Sequence, residues 1–168
     1  MMQNRAQFTT FWVDGLYFGL EVDKVQEVLR YQQMTRVPLA PQVVKGLINL
    51  RGQIVTAIDL RSRLGLRPCP DGALPMNVVI RSNDGAVSLL VDEIGDVLTM
   101  DADYSEPLPD TVRGIGREFI SSVYKLPDCI LLVLDSDKAI ALGSSHRLPT
   151  ENDSTPLPNV GASTDTIS

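Results

Sequence analysis

LYFGLEVDKVQEVL, residues 16–29, is written a second time, with altered letters, as AVSLLVDEIGDVL at residues 86–98. Val22, Asp23, Val25, Val28 and Leu29 match Val91, Asp92, Ile94, Val97 and Leu98, and an Asp-Gly pair precedes each copy, at Asp14-Gly15 and Asp84-Gly85. A second block follows in the same order. LRGQIVTAIDL, residues 50–60, aligns with LPDCILLVLDS, residues 126–136, and sets Ile54, Val55, Ile58 and Asp59 against Ile130, Leu131, Leu134 and Asp135. Two matched blocks in one order indicate an internal duplication, where a single match would be a chance likeness of apolar runs.

Each copy reads as short strands joined by turns. Residues 8–14 and 16–21 flank one Asp-Gly pair and residues 76–81 and 87–91 flank the other, a hairpin signal because that pair accepts the positive φ of a primed turn. The V-D-x-[VI] segment that follows is expected to make one helical turn capped by Asp23 or Asp92, then return to extended chain. Residues 46–50 pair with 54–58 across Arg51-Gly52, and residues 119–125 pair with 129–134 across Pro127-Asp128. DLRSRLGL and DSDKAIAL then close the copies with short helices, for which Asp59 and Asp135 are the expected caps. About five short strands per copy make the fold mainly β, two small closed barrels, which leave few unpaired edges. The expected units are 7–69 and 74–143, joined at the Pro- and Gly-rich residues 65–75. Exchange of strands between the units stays open, because residues 8–14 are able to pair with either copy.

The chain has 168 residues, 43% of them hydrophobic, and a formal net charge of -6. This composition suits a globular protein without a membrane span, and its acidity opposes binding to the phosphate backbone of nucleic acid. The start, MMQNRAQF, carries neither an apolar stretch nor a small-residue cleavage site, so the cytoplasm is the expected compartment. Cys69 and Cys129 stand apart and outside any C-x-x-C, as ordinary thiols of a reducing compartment do. From residue 144 the chain is rich in Ser, Thr, Pro and Asn and is expected to be disordered through residue 168. His146, the sole histidine, falls in that tail. Imidazole-based nucleophilic, zinc or phosphoacceptor chemistry needs a packed histidine, and the expected folded part supplies none. The G-x-G of RGIGR, residues 113–117, lacks the rest of a dinucleotide fingerprint, and DADYSEPLPD, residues 101–110, lacks the spacing of a calcium loop. No cofactor, metal or catalytic residue is assigned.

Arg51 stands at a hairpin tip beside Gly52. Two readings of it are open: a solvated turn residue, or a guanidinium displayed on a rigid hairpin for planar hydrogen bonding to a partner protein. In KVQEVL, residues 24–29, an outward valine beside Glu27 would offer a small apolar contact with a polar rim.

KVQEVL, TRVP, VKGLINLRGQIVTAIDLRSRLGL and LLVDEIGDVL, in this order and spacing, resemble the CheW family, adaptors that couple chemoreceptors to the histidine kinase CheA in bacterial chemotaxis. The likeness runs over residues 8–142. It implies two tandem SH3-like five-stranded β-barrels around a shared hydrophobic core, with no active site and no cofactor. It also implies two partners held at once: the regulatory domain of a CheA-type histidine kinase on the barrel that bears NLRG, and the cytoplasmic tip of a chemoreceptor in the groove between the barrels. Val25 and Glu27 of KVQE and Arg51 of NLRG carry over as interaction determinants, and Val28, Val97 and Leu98, the duplicated V-L pairs, are expected to line the groove. The protein would be cytoplasmic, recruited to membrane-associated receptor arrays without entering the membrane. Thr56 stands where many members have proline, which is expected to alter strand pairing and not the fold; the tail lies outside the likeness. Two alternatives remain: an adaptor of this fold in another chemosensory-type pathway such as pilus motility, and a free-standing kinase-derived regulatory domain.

Overall fold

The structure, a computed structural model, describes residues 4–112 and 116–142. The expected disordered tail, 144–168, and His146 lie outside the described residues. Strands β1 (Arg5–Val13) and β2 (Leu16–Glu21) form a hairpin whose turn residues Asp14 and Gly15 both have positive φ, as a primed turn requires. A single 3-10 turn at Val22–Lys24 leads into β3 (Val25–Leu29). A loop then reaches the hairpin of β4 (Val44–Leu50) and β5 (Gln53–Asp59), which is closed by helix α1 (Leu60–Leu64). The second copy repeats the series as the β6 (Met76–Ser82) and β7 (Gly85–Val91) hairpin, β8 (Glu93–Asp101), β9 (Ile120–Lys125), β10 (Ile130–Leu134) and helix α2 (Ser136–Ile140).

The strands make two five-stranded sheets. The first has the order β8-β1-β2-β10-β9 and the second β3-β6-β7-β5-β4. Replacing every strand of the first order by its counterpart in the other copy gives the second. The registers agree as well: Phe11 opposite Phe18 matches Ile80 opposite Val87, Phe8 opposite Leu98 matches Asn77 opposite Leu29, and the parallel partners Leu132 and Phe18 match Thr56 and Val87. The duplication is therefore structural. Each copy divides between the sheets: β1 and β2 join β8, β9 and β10, while β6 and β7 join β3, β4 and β5. The sheets are thus assembled across the two copies by exchange of the leading hairpins. In each sheet the segment leaving one edge strand bridges the other edge strand, Thr35 to Leu47 and Glu106 to Val123, which brings the open edges together.

Exchange gives the molecule one central core. Phe11, Val13, Phe18 and Leu20 of the first sheet pack with Ile58, Val78, Ile80 and Leu89 of the second. The opposite face of each sheet encloses a smaller cluster, Phe8, Tyr124, Leu131 and Val133 in one, Ile48, Val55, Ala57 and Val79 in the other. These interiors are filled differently at equivalent places. Phe8 lies against Gly19, where an added Cβ would come within 3.2 Å of the Phe8 Cβ. Their counterparts are Asn77 and Ser88, whose buried side chains share a 2.7 Å hydrogen bond, with the Asn77 amide donating to the Arg30 carbonyl at 3.1 Å. Large plus none and medium plus small fill comparable space, and the polar pair is satisfied internally.

The helix caps are as expected. The Asp59 carboxylate accepts from the Arg61 amide at 3.1 Å and that of Asp135 from the Lys138 amide at 3.1 Å. Two other expectations are corrected. Asp23 lies inside its 3-10 turn, which has no side-chain cap, and Asp92 precedes no helix. The second hairpin turns at residues 83–84, with Gly85 of positive φ opening β7, so its Asp-Gly pair stands one place beyond the turn. Asp92 has other work: its carboxylate accepts from the Asp14 amide at 2.8 Å and from Arg61 Nη2 at 2.7 Å and Nε at 3.2 Å. Arg61, buried at the start of α1, also donates to the Arg67 carbonyl at 2.9 Å, while the Arg67 guanidinium reaches Asp14 at 2.7 Å. This network ties the tip of the exchanged β1-β2 hairpin to α1 and the connector. On the other side Arg63 donates to the Ala139 carbonyl at 3.0 Å and lies over the Phe119 ring, joining α1 to α2.

Gly46 leaves no room for a side chain: a Cβ there would stand 2.6 Å from the Thr35 carbonyl oxygen, the acceptor in the edge-closing bridge. Gly46→Ala should cost about 1–3 kcal/mol in chemical denaturation, the usual range for overpacking against atoms that yield little; a neutral result would show that the bridge moves freely. The Arg67 guanidinium, donating to Asp14, holds that carboxyl below the usual carboxylate range, against the opposing effect of burial. A depressed carboxyl stabilises the fold above the unfolded-chain carboxylate range and loses that contribution as pH falls through its folded value. The thermal midpoint should thus drop on acidification, and drop less steeply in Asp14→Asn; equal slopes would remove Asp14 from the acid response.

Candidate partner-binding site

The β4-β5 hairpin turns through two residues. Arg51 has φ +53° and Gly52 φ +87°, a primed turn in which the first place is held by a residue that is not glycine. Left-handed backbone at such a residue costs about 1 kcal/mol. The Asn49 side-chain carbonyl accepts from the Gly52 amide at 2.9 Å and braces the turn. From it the Arg51 side chain extends, 65% exposed, toward β3 at the opposite edge of the same sheet.

On β3 the register with β6 shifts between Val25 and Glu27, a bulge that turns the next side chain. Glu27 meets Arg51 there with both carboxylate oxygens: Nη1 donates to Oε2 at 3.2 Å and Nη2 to Oε1. Gln26 donates to the same carboxylate at 3.4 Å. With the Arg51 side chain open to water and that of Glu27 only 22% exposed, the pair contributes on the order of 0.2–1 kcal/mol to folding. Its geometry presents a guanidinium and a carboxylate in a fixed orientation at the rim of the sheet.

The other expected determinants are placed as follows. Val25 is half-buried against the central core. Val28, 41% exposed, stands opposite the buried Val78, and directly opposed residues project from one face, so Val28 extends the core-facing side of the sheet into solvent. Val97, 57% exposed, is its counterpart on β8 in the other sheet. Leu98 turns inward against the Phe8 and Tyr124 cluster. The structure thus brings Glu27 and Arg51 into contact, sets Val25 and Val28 on the strand of Glu27, and leaves Val97 and Leu98 on the other sheet.

Two surface features carried no signal that sequence reasoning used. Ile54 and Ile130, equivalent in the copies, are each more than half exposed. An apolar groove of about 500 Å³ on the first sheet is lined by Trp12, Tyr17, Leu108, Val123 and Ile130. Alternation alone gives the face of each isoleucine, but not that its face is uncovered. Among the described residues no group of His, Cys, Asp and Glu is arranged to hold a metal ion, and no helix is long and apolar enough to cross a membrane.

The family model described as CheW-like domain matches residues 7–143. The chain is 30% identical to the chemotaxis protein CheW of Bacillus subtilis over 81% of its own length and 87% of that protein's. It is 30% identical to protein PilI of Pseudomonas aeruginosa over 68% of this chain and 64% of the relative. The crystal structure of the scaffolding protein TtCheW from Thermoanaerobacter tengcongensis superposes with a TM-score of 0.70 at 26% identity, covering 80% of this chain and 85% of the other.

A double-mutant cycle on Glu27→Ala and Arg51→Ala should give a coupling energy of about 0.2–1 kcal/mol in urea unfolding, falling as salt rises. A coupling several times larger, or one insensitive to salt, would make the pair a folding element.

Proposed function

The chain belongs to the CheW-like domain family, and from that membership we propose that it is a non-catalytic adaptor coupling chemoreceptors to a CheA-type histidine kinase. The observation that carries the proposal is the Glu27–Arg51 pair, rigidly displayed and worth little to folding. The second sheet, with Arg51 at its hairpin tip and Glu27 at its edge, is the surface for the kinase regulatory domain. Val28 and Val97, equivalent and exposed on the two sheets, are the apolar contacts for the helical tip of a receptor. Val25 and Leu98 support these surfaces from within. Two sheets fused by one core let a single chain hold both partners in fixed relation, and repetition across an array raises the effective concentration of each contact. The adaptor is recruited to receptor arrays through these contacts and acts by shifting the kinase population between states.

A second reading, the same adaptor role in a pilus-linked chemosensory pathway, is favoured by the likeness to PilI. Phosphotransfer by a CheA-type kinase in receptor-containing membranes, with and without this chain, tests the first. Stimulation by the wild type and its loss in Arg51→Asp, with the thermal midpoint unchanged, are the expected outcomes. No stimulation by a folded chain would reject coupling in that pathway, and loss of folding in the variant would make Arg51 structural.

A further inference from the structure

The two copies provide an internal control on the turn that carries Arg51. In the first sheet the equivalent hairpin, β9 to β10, has the same length and register, with Lys125 at the place of Asn49, Pro127 at that of Arg51 and Asp128 at that of Gly52. It closes with the Leu126 amide donating to the Cys129 carbonyl at 2.8 Å, and neither turn residue has positive φ. A side-chain acceptor at the first of these places is therefore not needed to make the hairpin. Asn49 is exposed, and its side-chain carbonyl accepts from the amide of the residue after Arg51.

Fixing the Gly52 amide fixes the peptide plane between Arg51 and Gly52, and with it the backbone from which the Arg51 side chain departs. Without that brace, an arginine in left-handed backbone gains by relaxing to another turn, since the left-handed form is strained. The long side chain would then sweep through its many rotamers, whose loss is costly for each contact formed. We infer that Asn49 is a positioning residue: by holding the turn it aims Arg51 at Glu27 and so presents the pair to the partner. The inference rests on the partner reading of that pair.

The test uses the full chain, ¹⁵N-labelled, as wild type, Asn49→Ala and Asn49→Asp. In the wild type the Arg51 side-chain nitrogens should be resolved from one another, because the Glu27 carboxylate slows guanidinium rotation. They should average in Asn49→Ala and be restored in Asn49→Asp, which keeps an acceptor oxygen. Affinity for the kinase regulatory domain should fall about fivefold in Asn49→Ala, the worth of one ordinary hydrogen bond, and fall no further when Asn49→Ala is added to Arg51→Ala. Wild-type Arg51 signals in Asn49→Ala, or a loss of affinity that adds in full to that of Arg51→Ala, would overturn the inference. Should Arg51→Ala itself bind as the wild type does, the partner reading fails, and the side-chain signals alone still decide whether Asn49 positions Arg51.

Discussion

Exchange of the two leading hairpins is the constraint from which the rest of the structure follows. Because β1 and β2 complete the sheet of β8, β9 and β10, while β6 and β7 complete that of β3, β4 and β5, neither sheet is built from one copy of the repeat. The apolar faces of the exchanged hairpins meet at the centre, so Phe11 and Phe18 from one copy pack with Val78, Ile80 and Leu89 from the other. Burial of this size is the dominant favourable contribution to folding, and here it cannot be divided between two independent barrels. The charged network around Arg61 reinforces the same joint. Asp14 at the tip of one exchanged hairpin and Asp92 just beyond the other both approach one buried guanidinium. Such a network is destabilising to break because it would strand a charge away from water.

A fused pair of sheets suits a protein whose work is to hold partners in fixed relation. Each sheet retains a rim with an exposed valine on β3 or β8 and an exposed isoleucine on β5 or β10. The rims then diverge. Both edge strands are bulged at the same place, but one rim carries a strained arginine turn and a carboxylate paired with it, and the other carries Pro127 and an apolar groove beside Trp12. Duplication supplies two similar supports, and substitution at equivalent places lets each present different chemistry. The interiors show the same freedom, with Phe8 and Gly19 in one sheet against Asn77 and Ser88 in the other. A core tolerates such changes where the combined volume and the satisfaction of polar groups are kept.

The strands themselves were legible in the sequence because their signals are local. The Asp-Gly pairs placed the β1-β2 and β6-β7 hairpins and the turn of the first; Asp59 and Asp135 capped the helices they precede. The second turn was misplaced by one residue, since Asp84-Gly85 matches the letters of the signal while the strand register sets the turn at residues 83–84. Asp92 was misread as a cap for a comparable reason. Its V-D motif matches that of Asp23, but its carboxylate is taken by Arg61, which is distant in the chain.

By itself, then, the sequence determined the duplication, the β class, the order of elements and the motifs that place the chain in its family, all of which depend on residue type at short spacing. Tertiary structure decided which hairpin joins which sheet, that Glu27 and Arg51 form one pair, and which of Val28, Leu98 and Val97 faces water. The physical reason lies in the duplication. Two similar copies offer nearly the same complementary edges, and the entropy of closing a longer loop grows only slowly with its length. Local pattern therefore leaves the two pairings close to equal, and the choice falls to the one central core that the exchanged arrangement builds.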